Sequence, residues 1–158
     1  MTATTRFDSI RTDRLLMRRW QDSDREPFAA LNADPETMRF FPATLDRAAS
    51  DAMVDRLEEL FDKQGYGLWA LEIAGPAEFS GFTGLNPMPD NVPGAGGLEV
   101  GWRLARSAWH HGYATEAATA ALGVAFGGLR HPKVLEGSPL RPHVTYWRAR
   151  QEAGPGGG

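Results

Sequence analysis

The chain has 158 residues, 42% hydrophobic and 23% charged, enough for one domain with its own core and without fibrous or disordered bias over most of its length. Its formal charge of −3 comes from basic residues interspersed with acidic ones, which leaves no electrostatic footprint for nucleic acid. Cysteine is absent, which excludes disulfides, thiolate metal sites and a cysteine nucleophile and fits a reducing compartment. No stretch approaches the roughly 18 apolar residues of a membrane helix, and Met1 to Arg14 lacks a signal-peptide core. The expectation is a soluble, cytoplasmic protein with neither nucleic-acid nor membrane partners.

Arg14 to Trp20 is short and largely apolar and reads as a first strand. Asp22 or Ser23 can cap the helix that follows, which carries Phe28 and Leu31 and stops at Asp34-Pro35. From Asp46 to Lys63, Ala49, Met53, Leu57, Leu60 and Phe61 recur near helical spacing, and Gly65 stands where a left-handed C-terminal cap belongs. Tyr66 to Ile73, Phe79 to Leu85 and Leu98 to Leu104 read as three strands of an antiparallel meander, with a turn at Gly75-Pro76 and a Pro/Gly-rich loop from Pro87 to Gly97. This order is α+β, not a repeating βαβ unit, and no G-x-G-x-x-G fingerprint is present.

The last of these strands runs into Trp109-His110-His111-Gly112-Tyr113-Ala114-Thr115-Glu116-Ala117 and a helix opening near Thr115. Gly112 and Ala114 leave backbone N–H groups uncovered, and the first turn of a helix adds unpaired donors and the positive end of its dipole. An anion would sit there; an ordinary tight connection has the same local chemistry.

Three stretches together resemble the GNAT N-acetyltransferases, in particular their RimJ/RimL-like branch. They are Thr12 to Trp20, Asp34 to Phe40, and Leu98 to Leu104 followed by Trp109 to Ala118. The resemblance spans about 125 residues and implies a GNAT-like fold: a mixed, mainly antiparallel central sheet with flanking helices. It also implies acetyl-CoA as co-substrate, no metal, and an amine acceptor, either a protein N-terminus or a small amine, in a monomer or homodimer. Of the family's signature of Gln or Arg, two residues, Gly, one residue, Gly or Ala, Gly112 and Ala114 are kept here, while Trp109 replaces the Gln or Arg, as is common in the RimJ/RimL-like branch. By this resemblance the turn, with Trp109, His111, Gly112, Tyr113, Ala114 and Thr115, holds the pyrophosphate, and the backbone of Trp102, Arg103 and Leu104 meets the pantetheine arm.

Direct attack on a thioester needs a neutral amine, and the resemblance makes Glu99 the candidate base; a solvated or arginine-paired strand residue is the alternative. Adjacent His110 and His111 diverge in an extended loop and find no further ligands nearby, so no metal role is assigned. Trp20, Phe40, Phe41 and Trp69 either line an acceptor pocket or fill the core.

After Phe126 the resemblance stops. Residues 1–128 read as the domain core and 129–158 as an atypical segment with a flexible Gly-rich tail. His143 to Trp147 alone has strand-like composition, and Pro139 and Pro142 oppose regular structure before it. The family's closing strands are expected to be incomplete, as in a truncated or frame-shifted chain, with the edge of the central strand exposed. The alternative to an enzyme is a non-catalytic remnant that binds CoA or a partner protein through that edge.

Overall fold

A computed structural model describes residues 6–88, 91 and 96–129, and the backbone of two strands at 133–137 and 145–149. The elements are β1 (Ser9–Arg11), β2 (Leu15–Arg18), α1 (Arg25–Ala33), α2 (Arg47–Gln64), β3 (Leu68–Ile73), β4 (Glu78–Pro87), β5 (Leu98–Leu104), α3 (Tyr113–Gly123), β6 (Lys133–Gly137) and β7 (Thr145–Ala149). The seven strands form one sheet in sequence order, and all neighbours are antiparallel except the parallel pair β5 and β6.

Local sequence explains most element boundaries. Leu15 and Met17, fully buried, alternate on β2 as a half-buried strand requires, and the strand ends two residues before the expected Trp20. The hairpin partner β1 was not expected from sequence, being only three residues long and pairing Ser9 with Arg18. In α2 the Asp46 side chain accepts from the Ala49 N–H, and Gly65 closes the helix at φ +78, the left-handed cap its position promised. The buried stripe is Ser50, Val54, Leu57 and Phe61, so its first half lies one residue beyond the expected Ala49 and Met53. Ser50 faces inward because it accepts a hydrogen bond from Asn32 Nδ2 at 3.0 Å, tying α2 to α1.

The core lies between the sheet and its helices, around Phe28, Phe61, Trp69, Leu71, Leu85 and Val100, with Ala117 and Ala121 of α3 closing the other face. The two buried indoles are satisfied: Trp69 Nε1 donates to Phe7 O at 2.7 Å and Trp20 Nε1 to Leu68 O at 2.8 Å. Both therefore belong to the core, not to an acceptor pocket.

The expected uncovered edge requires correction. β6 pairs with Leu98, Glu99 and Val100, and β7 pairs in turn with β6. The strand expected at 143–147 is found at Thr145–Ala149. The edge of β5 is thus covered at its first half, whereas Gly101 to Leu104 pair only with β4 among the described residues. Residues 138–144, with Pro139 and Pro142, and the Gly-rich tail lie outside the described residues, as does most of the loop from Pro87 to Gly97.

Candidate active site

The turn after β5 is held open to solvent by its own backbone. Gly112 is the N-cap of α3 at φ +78, and no side chain caps the helix. Its first internal bond runs from the Glu116 N–H to Gly112 O at 3.1 Å, which leaves the opening N–H groups without side-chain acceptors. The helix begins at Tyr113, two residues before the expected Thr115. A non-glycine residue at 112 would be strained in this left-handed conformation, and its Cβ would come within 3.4 Å of Arg14 Nη2.

Arg14 anchors this turn from the far side of the sequence. Its Nε donates to Glu116 Oε1 at 2.7 Å and its Nη1 to His111 O at 2.8 Å. Its guanidinium carbon lies 4.7 Å from the centre of the Tyr113 ring, on which the His111 ring stacks at 5.3 Å. Glu116 also accepts from Thr12 Oγ1 at 2.5 Å and from the Arg14 N–H at 3.1 Å. Partial burial opposes its ionisation, but these bonds win and hold its carboxyl below the usual range. The Arg14–Glu116 ion pair is partly exposed and worth little alone; with the hydrogen bonds around it, it holds the turn. Arg14 and Glu116 lie 102 positions apart, so local sequence carried no signal of the contact.

Beside the turn is a cleft of about 720 Å³, lined by Glu36, Arg39 and Phe40 on one side and by Trp102, Leu104, Trp109, Gly112, Tyr113 and Ala114 on the other. Thr115 lines a smaller hollow of about 230 Å³ with Val100, Trp102 and Ala118, and His111 is exposed at the outer rim. The Ala105 N–H bonds to Ser80 O of β4 at 2.9 Å. Antiparallel alternation therefore points the backbone groups of Arg103, Gly101 and Glu99 at β4 and those of Trp102 and Leu104 at the open edge. Of the three backbones expected to meet a pantetheine arm, Arg103 is thus turned away. The Leu104 carbonyl is already engaged by Trp109 Nε1 at 2.9 Å.

Glu99 and Arg103 share the opposite face of β5 from Trp102 and Leu104. Glu99 is half-buried and makes no hydrogen bond or ion pair among the described residues. Burial without a compensating donor among the described residues raises its carboxyl above the ordinary glutamate value. Arg103 is 6% exposed and lies under Phe41, 4.3 Å from the ring centre. Phe40 is 47% exposed and lines the cleft. Of the four aromatics, Trp20 and Trp69 thus fill the core, Phe40 lines the cleft and Phe41 covers Arg103. The segment carrying Phe40 and Phe41 is clamped to the end of β5 by Arg106, whose Nε reaches Asp34 Oδ2 at 2.8 Å, while Asp34 also accepts from Thr37 Oγ1 at 2.6 Å. Among the described residues no three His, Asp or Glu side chains converge as metal ligands, and no helix is long and apolar enough to cross a membrane.

The arrangement suits a long anionic co-substrate: uncapped helix donors for phosphate, a strand edge free to hydrogen-bond a peptide-like arm, and a carboxylate on the far face. Comparison with known proteins agrees. The model of the acetyltransferase (GNAT) domain matches residues 14–151, well past Phe126. YkkB of Bacillus subtilis, itself uncharacterised, is 32% identical over 118 residues, 73% of this chain and 66% of that protein. The fold is shared with an acetyltransferase from Agrobacterium tumefaciens (TM-score 0.69, 23% identity, 86% of this chain and 77% of that one). It is also shared with a GNAT-family acetyltransferase from Bacillus anthracis (TM-score 0.68, 21% identity, 81% and 72%). With its sheet, helix order and open turn in that arrangement, the chain belongs to the GNAT acetyltransferase family.

Proposed function

We propose that this chain is a RimJ/RimL-like N-acetyltransferase of the cytoplasm that moves the acetyl group of acetyl-CoA to a primary amine by direct attack in a ternary complex. The observation that carries the reading is the meeting, in one cleft, of the uncapped start of α3 at Gly112 with the stretch of β5 that pairs only with β4 among the described residues. RimL, a ribosomal L7/L12 α-N-protein acetyltransferase with coenzyme A in its structure, shares the fold at 14% identity.

In this reading the N–H groups of Tyr113, Ala114 and Thr115 hold the pyrophosphate, Trp109 packs beside them, and His111 stands at the phosphate rim. Trp102 and Leu104 present the strand edge to the pantetheine arm. The thioester supplies an activated acyl group. Glu99 takes a proton from the substrate ammonium, directly or through water, and the neutral amine then bonds the acyl carbon; the C–S bond breaks, and the departing sulfur gains the proton that the nitrogen sheds as the amide forms. Burial helps Glu99 here, because a base with a raised pKa is nearer to the operating pH. The alternative, a non-catalytic remnant that binds CoA or a partner protein through that edge, has only Gly101 to Leu104 open to it among the described residues, since β6 occupies Leu98 to Val100.

Calorimetric titration of acetyl-CoA into the chain, with circular dichroism confirming the fold, is expected to give micromolar binding. A folded chain that does not bind would overturn the proposal. Glu99→Gln is expected to slow transfer about 10²- to 10⁴-fold with acetyl-CoA affinity unchanged; transfer at the wild-type rate would remove Glu99 from the role of base.

A further inference from the structure

The two walls of the cleft beside Gly112 differ in charge. One carries the N–H groups that open α3 without a side-chain cap. The other carries Glu36 and Arg39, the one carboxylate and the one permanent cation among the described residues that line the cleft. These two are bonded to each other, Arg39 Nη1 donating to Glu36 Oε1 at 2.9 Å, so their charges cancel.

Local chemistry explains why the pair looks into the cleft. Asp34 accepts from the Thr37 N–H and Oγ1 at 3.3 and 2.6 Å, and the Met38 N–H bonds to Asp34 O at 3.0 Å, which rolls the chain into a tight turn. Thr37 and Met38 are buried, and Glu36 and Arg39 are left outside, with side chains 46% and 55% exposed. This turn is tied to the opposite wall. Arg106 grips Asp34 through Nε and Nη2, at 2.8 and 3.1 Å, and Arg106 stands in the helical turn between β5 and the segment that ends at Gly112.

The Arg39 guanidinium is oriented in advance. Its carbon lies 4.6 Å from the centre of the Phe40 ring, and stacking restricts a side chain that otherwise has many rotamers. Glu36 takes only Nη1; Nε and Nη2 have no protein acceptor among the described residues. Those two nitrogens share the edge that meets two oxygens of a phosphate. An exposed pair within one turn is worth little, whereas a phosphate brings more charge than a carboxylate and can accept from both free donors. A phosphate held in this cleft therefore outcompetes Glu36.

We propose that Arg39 is a further cofactor-binding residue, whose guanidinium leaves Glu36 for a phosphate of acetyl-CoA and holds it from the wall opposite the Gly112 turn. This rests on the acetyltransferase reading above. The phosphate belongs to the pyrophosphate or to the 3′-phosphate of the ribose; the chemistry is shared, and the test separates the two.

Acetyl-CoA and its 3′-dephospho form are titrated by calorimetry into the wild-type chain, Arg39→Gln, Arg39→Lys and Glu36→Gln, with circular dichroism on each. Arg39→Gln is expected to bind acetyl-CoA about tenfold more weakly, and Arg39→Lys to fall between, as a charge without the fork does. Glu36→Gln, which releases Arg39, is expected to bind about two- to threefold more tightly. The opposite signs are decisive, since both substitutions break the same ion pair and a purely structural pair would weaken binding in both. If the partner is the 3′-phosphate, Arg39→Gln loses nothing further with the dephospho form; if it is the pyrophosphate, the loss is about tenfold with either ligand. Arg39→Gln within about twofold of wild type, or Glu36→Gln binding no more tightly than wild type, would overturn the proposal and leave the cofactor reading intact. A folded wild type that binds no acetyl-CoA would bring down both. Should Arg39→Gln not fold, Arg39→Lys and Glu36→Gln decide.

Discussion

Arg18 and Arg103 belong to the same sheet and are buried alike, at 9% and 6% exposure, but their surroundings differ in kind. Arg18 on β2 donates to both oxygens of Asp24, at 2.8 and 2.9 Å, and to Glu72 at 2.7 Å. Its pKa is pushed up, first by the Asp24 hydrogen bonds. Arg103 on β5 has an amide oxygen and two rings, and its pKa falls. The Arg18 cluster ties β2, β3 and the turn before α1 into a self-sufficient framework. The Arg103 cluster leaves Nε shut off from solvent without an acceptor among the described residues, at a cost in stability.

The sharpest way to break this contrast is to remove a partner from the satisfied arginine. Asp24→Ala strips the two-pronged partner from Arg18 and also the oxygen that accepts from the Gln21 N–H at 2.8 Å. Urea unfolding is expected to show a loss of about 3–5 kcal/mol; a loss below about 1 kcal/mol would mean that Glu72 alone suffices.

On the functional side, kcat/KM should rise with pH along an acid limb whose midpoint lies above the ordinary glutamate value. The sign follows from the work Glu99 is proposed to do: burial favours its protonated form, and the base acts only when ionised. The same limb surviving in Glu99→Gln would assign it to another group.

A smaller effect is expected where the framework touches the cleft. Arg14→Ala frees the His111 carbonyl and Glu116 at once, and acetyl-CoA should bind about five- to tenfold more weakly, equivalent to roughly 1–1.4 kcal/mol, with kcat at saturation little changed. Unaltered affinity would show that the turn holds its shape without Arg14.

The smallest change is expected for Arg103→Met in stability. Loss of an unpaired buried charge favours the variant, while the orphaned Asn32 oxygen opposes it, so unfolding free energy should stay within about 1 kcal/mol of wild type. A loss near that of Asp24→Ala would make Arg103 a framework residue after all.

Much of this was legible from the chain alone. The α2 cap at Gly65, the bounds of β5 and the exposed turn at Gly112 each follow from side-chain and backbone chemistry within a few residues. The inward turn of Ser50 was not legible, because its partner Asn32 is on another helix. Nor was the division of the aromatics: Trp20 and Phe40 are equally apolar as letters, and only packing puts one under the sheet and the other on the cleft. In the C-terminal segment composition pointed to the strand found at Thr145–Ala149 but not to β6, since strand pairing is made by backbone groups that every residue carries except proline, which lacks the N–H.

By itself, then, the sequence determined the order of elements, the α+β class and the residues of the family signature, because periodicity, caps and a small-residue turn are local properties. Tertiary structure decided what those residues do for one another: that β6 covers only the first half of β5 among the described residues, that Arg14 holds a turn some hundred positions away, and that Arg103 is buried with no carboxylate beside it among the described residues. Such facts depend on which groups long-range folding brings together and which it deprives of water, and no window along the chain contains them.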